Sequence, residues 1–297
     1  MSNLKYVMGP MRPPFLILTP ACVLLGLGTA VWSQGSVSVF HFVLALVGAV
    51  ASHISVNAFN EYFDFKSGLD LKTQRTPFSG GSGTLPTKPE MLRTTLTTAI
   101  VALAVVCGIG LYFLSAWGAS ILPLGLAGVL IIVIYSPLIA HNAFLSLISP
   151  GVGFGSLMVI GTHFVLTGQY SWTAFVASLV PFFLVNDLLL LNQFPDVEAD
   201  RSVGRRNYVI LLGPRAAAVI YGAFLALAFV SIVVGVRLGY LPAASLIGLV
   251  AVALAVPAAI GAFRHADDVK RLMPFMGLNV ILNIVTPVLV AVGLFLA

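Results

Sequence analysis

Charge is what this chain has least of. Asp, Glu, Lys and Arg make up 8% of its 297 residues, against roughly 25% in a soluble globular domain. With 59% hydrophobic residues and a strongly positive mean hydropathy, that scarcity excludes an ordinary soluble domain and implies an all-α, polytopic membrane protein. Cysteine is nearly absent too: Cys22 and Cys107 both fall inside apolar runs, so neither a disulfide framework nor a thiolate metal site is supported, and packing is the role left to them. A cleavable leader is not expected either. The apolar run from about Pro14 to Trp32, behind Lys5 and Arg12, is too long for a signal-peptide core and has no clear small-residue cleavage site. It reads as the first membrane helix. The Gly-rich stretch Ser79-Gly80-Gly81-Ser82-Gly83 lacks the Gly-Lys-Ser/Thr ending of a P-loop, which argues against nucleotide binding.

What is there are long apolar runs. At roughly 20 residues per span, they fall near 14–33, 37–63, 94–114, 118–137, 144–167, 171–194, 215–237, 241–263 and 273–296. This predicts nine transmembrane helices in a single domain covering 1–297, with two longer connections, 64–93 and 195–214. Lys and Arg collect in cytoplasmic loops, and fourteen of the fifteen basic residues fall on one side of this arrangement, with Arg237 the exception. The expected orientation has the N-terminus and both long loops in the cytoplasm, in a cell (inner) membrane. The net charge of +5 is accounted for by this signal and by anionic lipid headgroups, so nucleic acid is not an expected partner.

The few acidic residues are concentrated. Of ten in the chain, Glu61, Asp64, Asp70, Asp187, Asp196, Glu198 and Asp200 lie in or next to two matching clusters, Asn60-Glu61-Tyr62-Phe63-Asp64 and Asn192-Gln193-Phe194-Pro195-Asp196. Each cluster closes an apolar run at the cytoplasmic face. In the first, His53, Asn57, Asn60/Glu61 and Asp64 recur at spacings of three and four and form one polar stripe, which a span turns away from lipid. Asp70 is expected to swing back from the loop opened by Ser67-Gly68. In the second, Asn192, Asp196 and Asp200 are spaced by four and would share a face of a helix continuing, with a kink, past Pro195. Oxygen-only ligands suit a hard cation such as Mg²⁺, held through a few carboxylates and substrate phosphates. Asp64, Asp70, Asp196 and Asp200, with Asn60 and Asn192, are the candidate metal ligands. Lys66, Lys72 and Arg75 follow the first cluster, and Arg201, Arg205 and Arg206 follow the second. As a set they look like ligands of a diphosphate.

These motifs resemble those of the UbiA superfamily of intramembrane prenyltransferases, in which an N-x-x-x-D element with a further Asp and a D-x-x-x-D element bind Mg²⁺ and a prenyl diphosphate. The first is met by Asn60, Asp64 and Asp70, and the second by Asn192, Asp196 and Asp200, continuing as Arg201-Ser202-Val203-Gly204-Arg205-Arg206. The run Asn192-Gln193-Phe194-Pro195-Asp196-Val197-Glu198-Ala199-Asp200-Arg201, the stretch 155–162 and the wide Asp64 to Asp70 spacing are similar to the 1,4-dihydroxy-2-naphthoate polyprenyltransferase branch. Glu61 stands where Asp is common, Gly68 where many members place an Asp, and Asn207 replaces a frequent Thr. The loop after the fourth span lacks the Lys or Arg often found there.

The resemblance implies nine helices around a central cavity, with Asp64, Asp70, Asp196 and Asp200 as catalytic residues and Mg²⁺ as cofactor. The partners it implies are a prenyl diphosphate, an aromatic acceptor and membrane lipid. Leaving-group charge would be neutralised by metal and by Lys/Arg. The allylic cation would then meet the π faces of Tyr62, Phe63, Tyr135 or Phe194, with His53 or Asp187 orienting the acceptor or taking its proton and the 79–83 loop closing over the diphosphate. The competing class is a transporter using intramembrane Asp. It would place polar groups along its full depth, whereas the outer half here is nearly devoid of charge.

Overall fold

The computed structural model describes residues 2–297, and no strand occurs among them. The long helices are α1 (Pro13–Gln34), α2 (Val39–Lys66), α3 (Leu92–Trp117), α4 (Leu122–Ile134), α5 (Ala143–Thr167), α6 (Trp172–Asn192), α7 (Pro214–Arg237), α8 (Ala243–Arg264) and α9 (Val269–Phe295). Eight stretches are long and apolar enough to cross a bilayer, where the sequence pattern counts nine. The difference lies in one 46-residue stretch, Pro89–Ile134. At 1.5 Å per residue it would reach about 70 Å, more than twice the hydrocarbon thickness of about 30 Å. It breaks at Gly118, whose φ of 70° takes it out of the helical region, and both halves return to pack on α2.

The spans divide into a dense side and a thin one. α6 is the most buried span, and α1, α5, α7 and α9 pack around it. α2, α3 and α4 are the least buried and pack chiefly on one another. Exposed Ile100, Leu111, Leu126, Val234 and Val256 form the apolar exterior that a bilayer requires. Between the two sides lies a cavity of about 340 Å³ lined by α1 through α6 and α9.

A seven-residue π segment, Gly151–Leu157, interrupts α5 beside this cavity, just after Pro150. Proline removes a helical donor and clashes with the preceding turn, and π turns often sit at functional sites. The Gly151 amide donates to Asn186 Oδ1 of α6 at 2.6 Å. A Cβ at Gly151 or Gly155 would collide with the Phe182 backbone, so glycine is what lets α5 and α6 touch. The π segment aims Phe154 into the cavity.

Candidate active site

α2 delivers the first cluster. Its last turns carry Asn60, Glu61 and Asp64 inward, with Glu61 and Asp64 both buried. Gly68, at φ 78°, then reverses the chain into a short 3₁₀ turn, Leu69–Leu71, that buries Asp70 beside them. The expected swing-back of Asp70 is therefore present.

The second cluster arrives differently from the expectation. α6 ends at Asn192, and the chain makes a turn through Pro195 before restarting as the short helix Val197–Ser202. Proline disfavours helical geometry at the residue before it and lacks an amide to donate, so the single kinked helix becomes two. Asn192, Asp196 and Asp200 still line one polar cavity of about 120 Å³, together with Asn60, Asp64, Asp70, Tyr135 and Arg205. The two motifs, separated by more than 120 residues of chain, thus converge.

Arg205 ties them together. Its guanidinium ion-pairs with Asp64 and, at 3.4 Å, with Asp200. Asp200 also accepts from Asn207 Nδ2 at 3.1 Å, and Asn207 Oδ1 caps the next helix through the Ile210 amide. The local cause is Gly204, whose φ of 80° turns the chain so that Arg205 enters the cavity. Arg206 is left exposed.

The other predicted cations stand outside this cavity. Lys66 lies over the Tyr62 ring and lines a neighbouring cleft. Lys72 donates to Ser202 Oγ at the surface, Arg75 is exposed beneath Gly83, and exposed Arg201 pairs with Glu198. Of the aromatic candidates, Tyr135 lines the polar cavity, and Tyr62, Phe63 and Phe194 do not. Asp187 is fully buried in α6 and lines neither the polar nor the apolar cavity.

Arg12, read from the sequence only as an orientation signal, is a wall of both cavities. It is the only non-glycine residue with positive φ (51°) among those described, a conformation that costs roughly 1–2 kcal/mol. In return its Nε donates to Glu61 Oε1 at 2.9 Å, while a terminal nitrogen ion-pairs with the same oxygen at 2.8 Å and donates to Asn60 Oδ1 at 3.0 Å. Glu61 in turn accepts from the amide and hydroxyl of Ser82, at 2.6 and 2.8 Å. That bond docks the Gly-rich loop against the site. Gly81, at φ 68°, approaches so closely that a Cβ would lie 2.9 Å from Glu61 Oε1. The only sequence hints were the tight Arg12-Pro13-Pro14 corner and the glycines themselves.

Among the described residues, no three His, Cys, Asp or Glu side chains form a ready-made metal cluster. The donor set nonetheless fits a hard divalent ion. Asp70 Oδ2 and Asp196 Oδ1 are buried without a hydrogen-bond partner, and such orphan oxygens are costly unless a cation meets them. Burial first, then the charges of Glu61 and Asp64, push the Asp70 carboxyl up to about 8. Burial first, then Asp200, pushes Asp196 up to about 7.

Six residues, Arg12, Asn60, Phe78, Tyr135, Leu189 and Asn192, wall both the polar cavity and the larger apolar one. The site therefore has a charged head and a greasy neighbour, adjoining at the Asn60/Tyr135 level.

Comparison with known proteins agrees with this geometry. The profile of the UbiA prenyltransferase family matches residues 19–284. The chain is 30% identical over 225 residues to the 1,4-dihydroxy-2-naphthoate octaprenyltransferase of Bacillus subtilis, covering 75% of this chain and 70% of that one. It is 28% identical over 269 residues to the protein of the same name from Mycobacterium tuberculosis, covering 89% and 88%. Among solved structures it resembles the apo structure of a UbiA homolog from Aeropyrum pernix K1, with a TM-score of 0.72 and 17% identity over 95% of this chain and 97% of that one. It also resembles a UbiA homolog from Archaeoglobus fulgidus bound to GPP and Mg²⁺, with a TM-score of 0.64 and 16% identity over 97% and 99%. At those identities the structural likeness concerns the fold. The chain is a multi-pass membrane protein and belongs to the UbiA prenyltransferase family.

Proposed function

We propose that this protein transfers an isoprenoid chain from a prenyl diphosphate to an oxygenated aromatic acceptor of the quinone-precursor type, with 1,4-dihydroxy-2-naphthoate as the first choice. The observation that carries this reading is the junction of the two cavities. A polar pocket holding four Asp and two Arg side chains adjoins an apolar one, with Asn60 and Tyr135 in the shared wall. An amphipathic substrate with a diphosphate head and a hydrocarbon tail matches that division, and a hydrated ion in transit does not. The names of the Bacillus and Mycobacterium relatives support the choice of acceptor. The site lies at the cytoplasmic end of the spans in the orientation that the basic loops favour.

Mg²⁺ would be held by Asp64, Asp70, Asp196 and Asp200, with the Asn60 and Asn192 amides, and supplies Lewis-acid stabilisation of the departing diphosphate. Arg205 and Arg12 add fixed positive charge at the same pocket, where low dielectric makes it count for more than in water. The allylic C–O bond breaks as its electron pair leaves with the diphosphate. Tyr135, in the wall shared by the two cavities, supplies a polarisable ring to stabilise the resulting cation. The apolar walls exclude water, which would otherwise capture that cation. The acceptor ring then supplies the electron pair of the new C–C bond and restores its aromaticity by giving up the proton of the attacked carbon to the released diphosphate. Docked Ser82 and Gly81 close the cytoplasmic side of the pocket.

The test is a panel. Purified protein with Mg²⁺ and labelled geranylgeranyl diphosphate is offered dihydroxynaphthoate, hydroxybenzoate, homogentisate, a glyceryl-phosphate lipid or haem. Label should move to dihydroxynaphthoate. Transfer only to the glyceryl lipid or haem would overturn the choice of an aromatic acceptor.

A further inference from the structure

His53 is a histidine on the wall of the apolar cavity, two helical turns, about 10 Å, above Asn60 on α2. Its Nδ1 lies 2.8 Å from Thr19 Oγ1 of α1. Its ring meets Phe154, from the π segment, edge to face at 4.5 Å. These two contacts fix the imidazole in position and in plane. The other polar groups of α2 on this wall are already engaged: Ser52 donates to the Gly48 carbonyl, Asn57 to the Met11 carbonyl, and Asn60 to Ser136. His53 Nε2 has no hydrogen-bond partner among the described residues, yet it belongs to a side chain lining the cavity.

Which way the Thr19 bond runs decides what Nε2 offers. A second Thr–His pair in the same protein shows the alternative. Thr29 donates its hydroxyl to the Gly26 carbonyl at 2.7 Å, so it must accept from His163 Nδ1, 3.0 Å away. Thr19 makes no such bond to its own helix, and among the described residues His53 Nδ1 is the one acceptor within reach of its hydroxyl. A buried hydroxyl hydrogen left unpaired is costly. Thr19 therefore donates to Nδ1, the ring proton sits on Nε2, and Nε2–H is a donor facing the cavity.

Resting on the prenyl-transfer reading above, we propose that His53 recognises the acceptor: its Nε2–H donates a hydrogen bond to an oxygen substituent of the aromatic ring, a hydroxyl or a carboxylate. Thr19 is the positioning residue that sets the tautomer. An acceptor whose reacting carbon lies at the Asn60/Tyr135 junction has its far end toward His53, while the prenyl tail takes the remaining apolar volume. The site thus selects for oxygenated rings over plain aromatic hydrocarbons.

The experiment is steady-state transfer by purified full-length protein in detergent, with the acceptor and the prenyl diphosphate varied in turn. His53→Leu should raise the acceptor KM about ten- to a hundredfold, the worth of one buried hydrogen bond, and leave the prenyl diphosphate KM within about twofold. His53→Gln, which can present an amide N–H, should recover part of the loss. Thr19→Val should raise the acceptor KM without touching the cavity wall chemistry. Removing the bonded oxygen from the acceptor should cost wild type the same factor and cost His53→Leu nothing. If His53→Leu does not fold, Thr19→Val with the acceptor series still decides. An unchanged acceptor KM in the variants, or equal rises in both KM values, overturns the proposal. Transfer by wild type to no aromatic acceptor overturns the prenyl-transfer reading first, and this inference with it.

Discussion

Replacing Arg205 by glutamine takes away the one side chain, among the described residues, that ion-pairs with both acidic motifs. In the folded protein its guanidinium, with only 17% of the side chain exposed, holds Asp64 and Asp200, whose side chains are 8% and 6% exposed. Each charge-assisted hydrogen bond to a phosphate oxygen is worth roughly 1.5–3 kcal/mol. Losing the guanidinium should therefore weaken binding of a non-hydrolysable prenyl diphosphate analogue about ten- to a hundredfold at saturating Mg²⁺. Mg²⁺ itself should bind at least as well as before, because Asp64 and Asp200 regain free acceptor oxygens and lose a competing cation. Arg205→Lys should fall between, since an ammonium is a point charge and cannot span both carboxylates. Calorimetric titration of the analogue against wild type, Arg205→Gln, Arg205→Lys and Arg237→Gln, the last at the end of α7 that lies away from the Arg205 loop, provides the comparison. Equal analogue affinity in wild type and Arg205→Gln would refute the assignment of Arg205 to the diphosphate.

Asp64→Asn, Asp196→Asn and Asp200→Asn should each abolish transfer in protein that still folds, and double variants should be little worse than singles, because losses within one site are not additive; full activity in any single would count against a shared metal site. In the metal-free folded protein, burial pushes Asp70 up to about 8 and Asp196 up to about 7, against about 3.9 when unfolded. Between these limits the folded state holds more protons than the unfolded one, so stability should fall as pH rises from about 4 to about 8. Mg²⁺ should remove that slope by holding the carboxylates ionised, and melting curves in EDTA that improve toward pH 8 would contradict it. Gly81→Ala places a Cβ 2.9 Å from Glu61 Oε1 at a φ of 68°. It should detach the 79–83 loop, seen as faster proteolysis there and a higher prenyl diphosphate KM, and unchanged proteolysis would show that the loop is not held by this contact.

Much of the site follows from spacing alone. Intervals of three and four put Asn60 and Asp64 on one face of α2, and the glycine after Ser67 foretells the return of Asp70. The second motif reaches the same cavity even though its helix breaks, since the turn at Pro195 redirects the chain without moving Asp196 and Asp200 away from Asn192. What spacing does not reveal is which cation enters. Arg201, Arg205 and Arg206 read alike in sequence, and the choice falls to the positive φ of Gly204 and the cap made by Asn207. Arg12 was hidden for a related reason. Its inward path depends on a left-handed backbone before two prolines, an arrangement that proline ordinarily disfavours in the residue before it and that a tertiary partner, Glu61, must stabilise. The division of the 46-residue stretch at Gly118 was legible from length, whereas the π segment of α5 depends on packing between Gly151, Gly155 and Phe182 that no periodicity records.

The most direct test of the central claim, that the converged Asp motifs activate a prenyl diphosphate for transfer to an aromatic ring, is a single assay on purified protein. Labelled geranylgeranyl diphosphate and dihydroxynaphthoate are incubated with Mg²⁺, and prenylated product and released diphosphate are measured together. The expected result is one diphosphate released per prenyl group transferred, with both products lost in EDTA and in Asp196→Asn. Transfer that persists in EDTA or in Asp196→Asn, or no transfer from any prenyl diphosphate to any aromatic acceptor, would contradict the account.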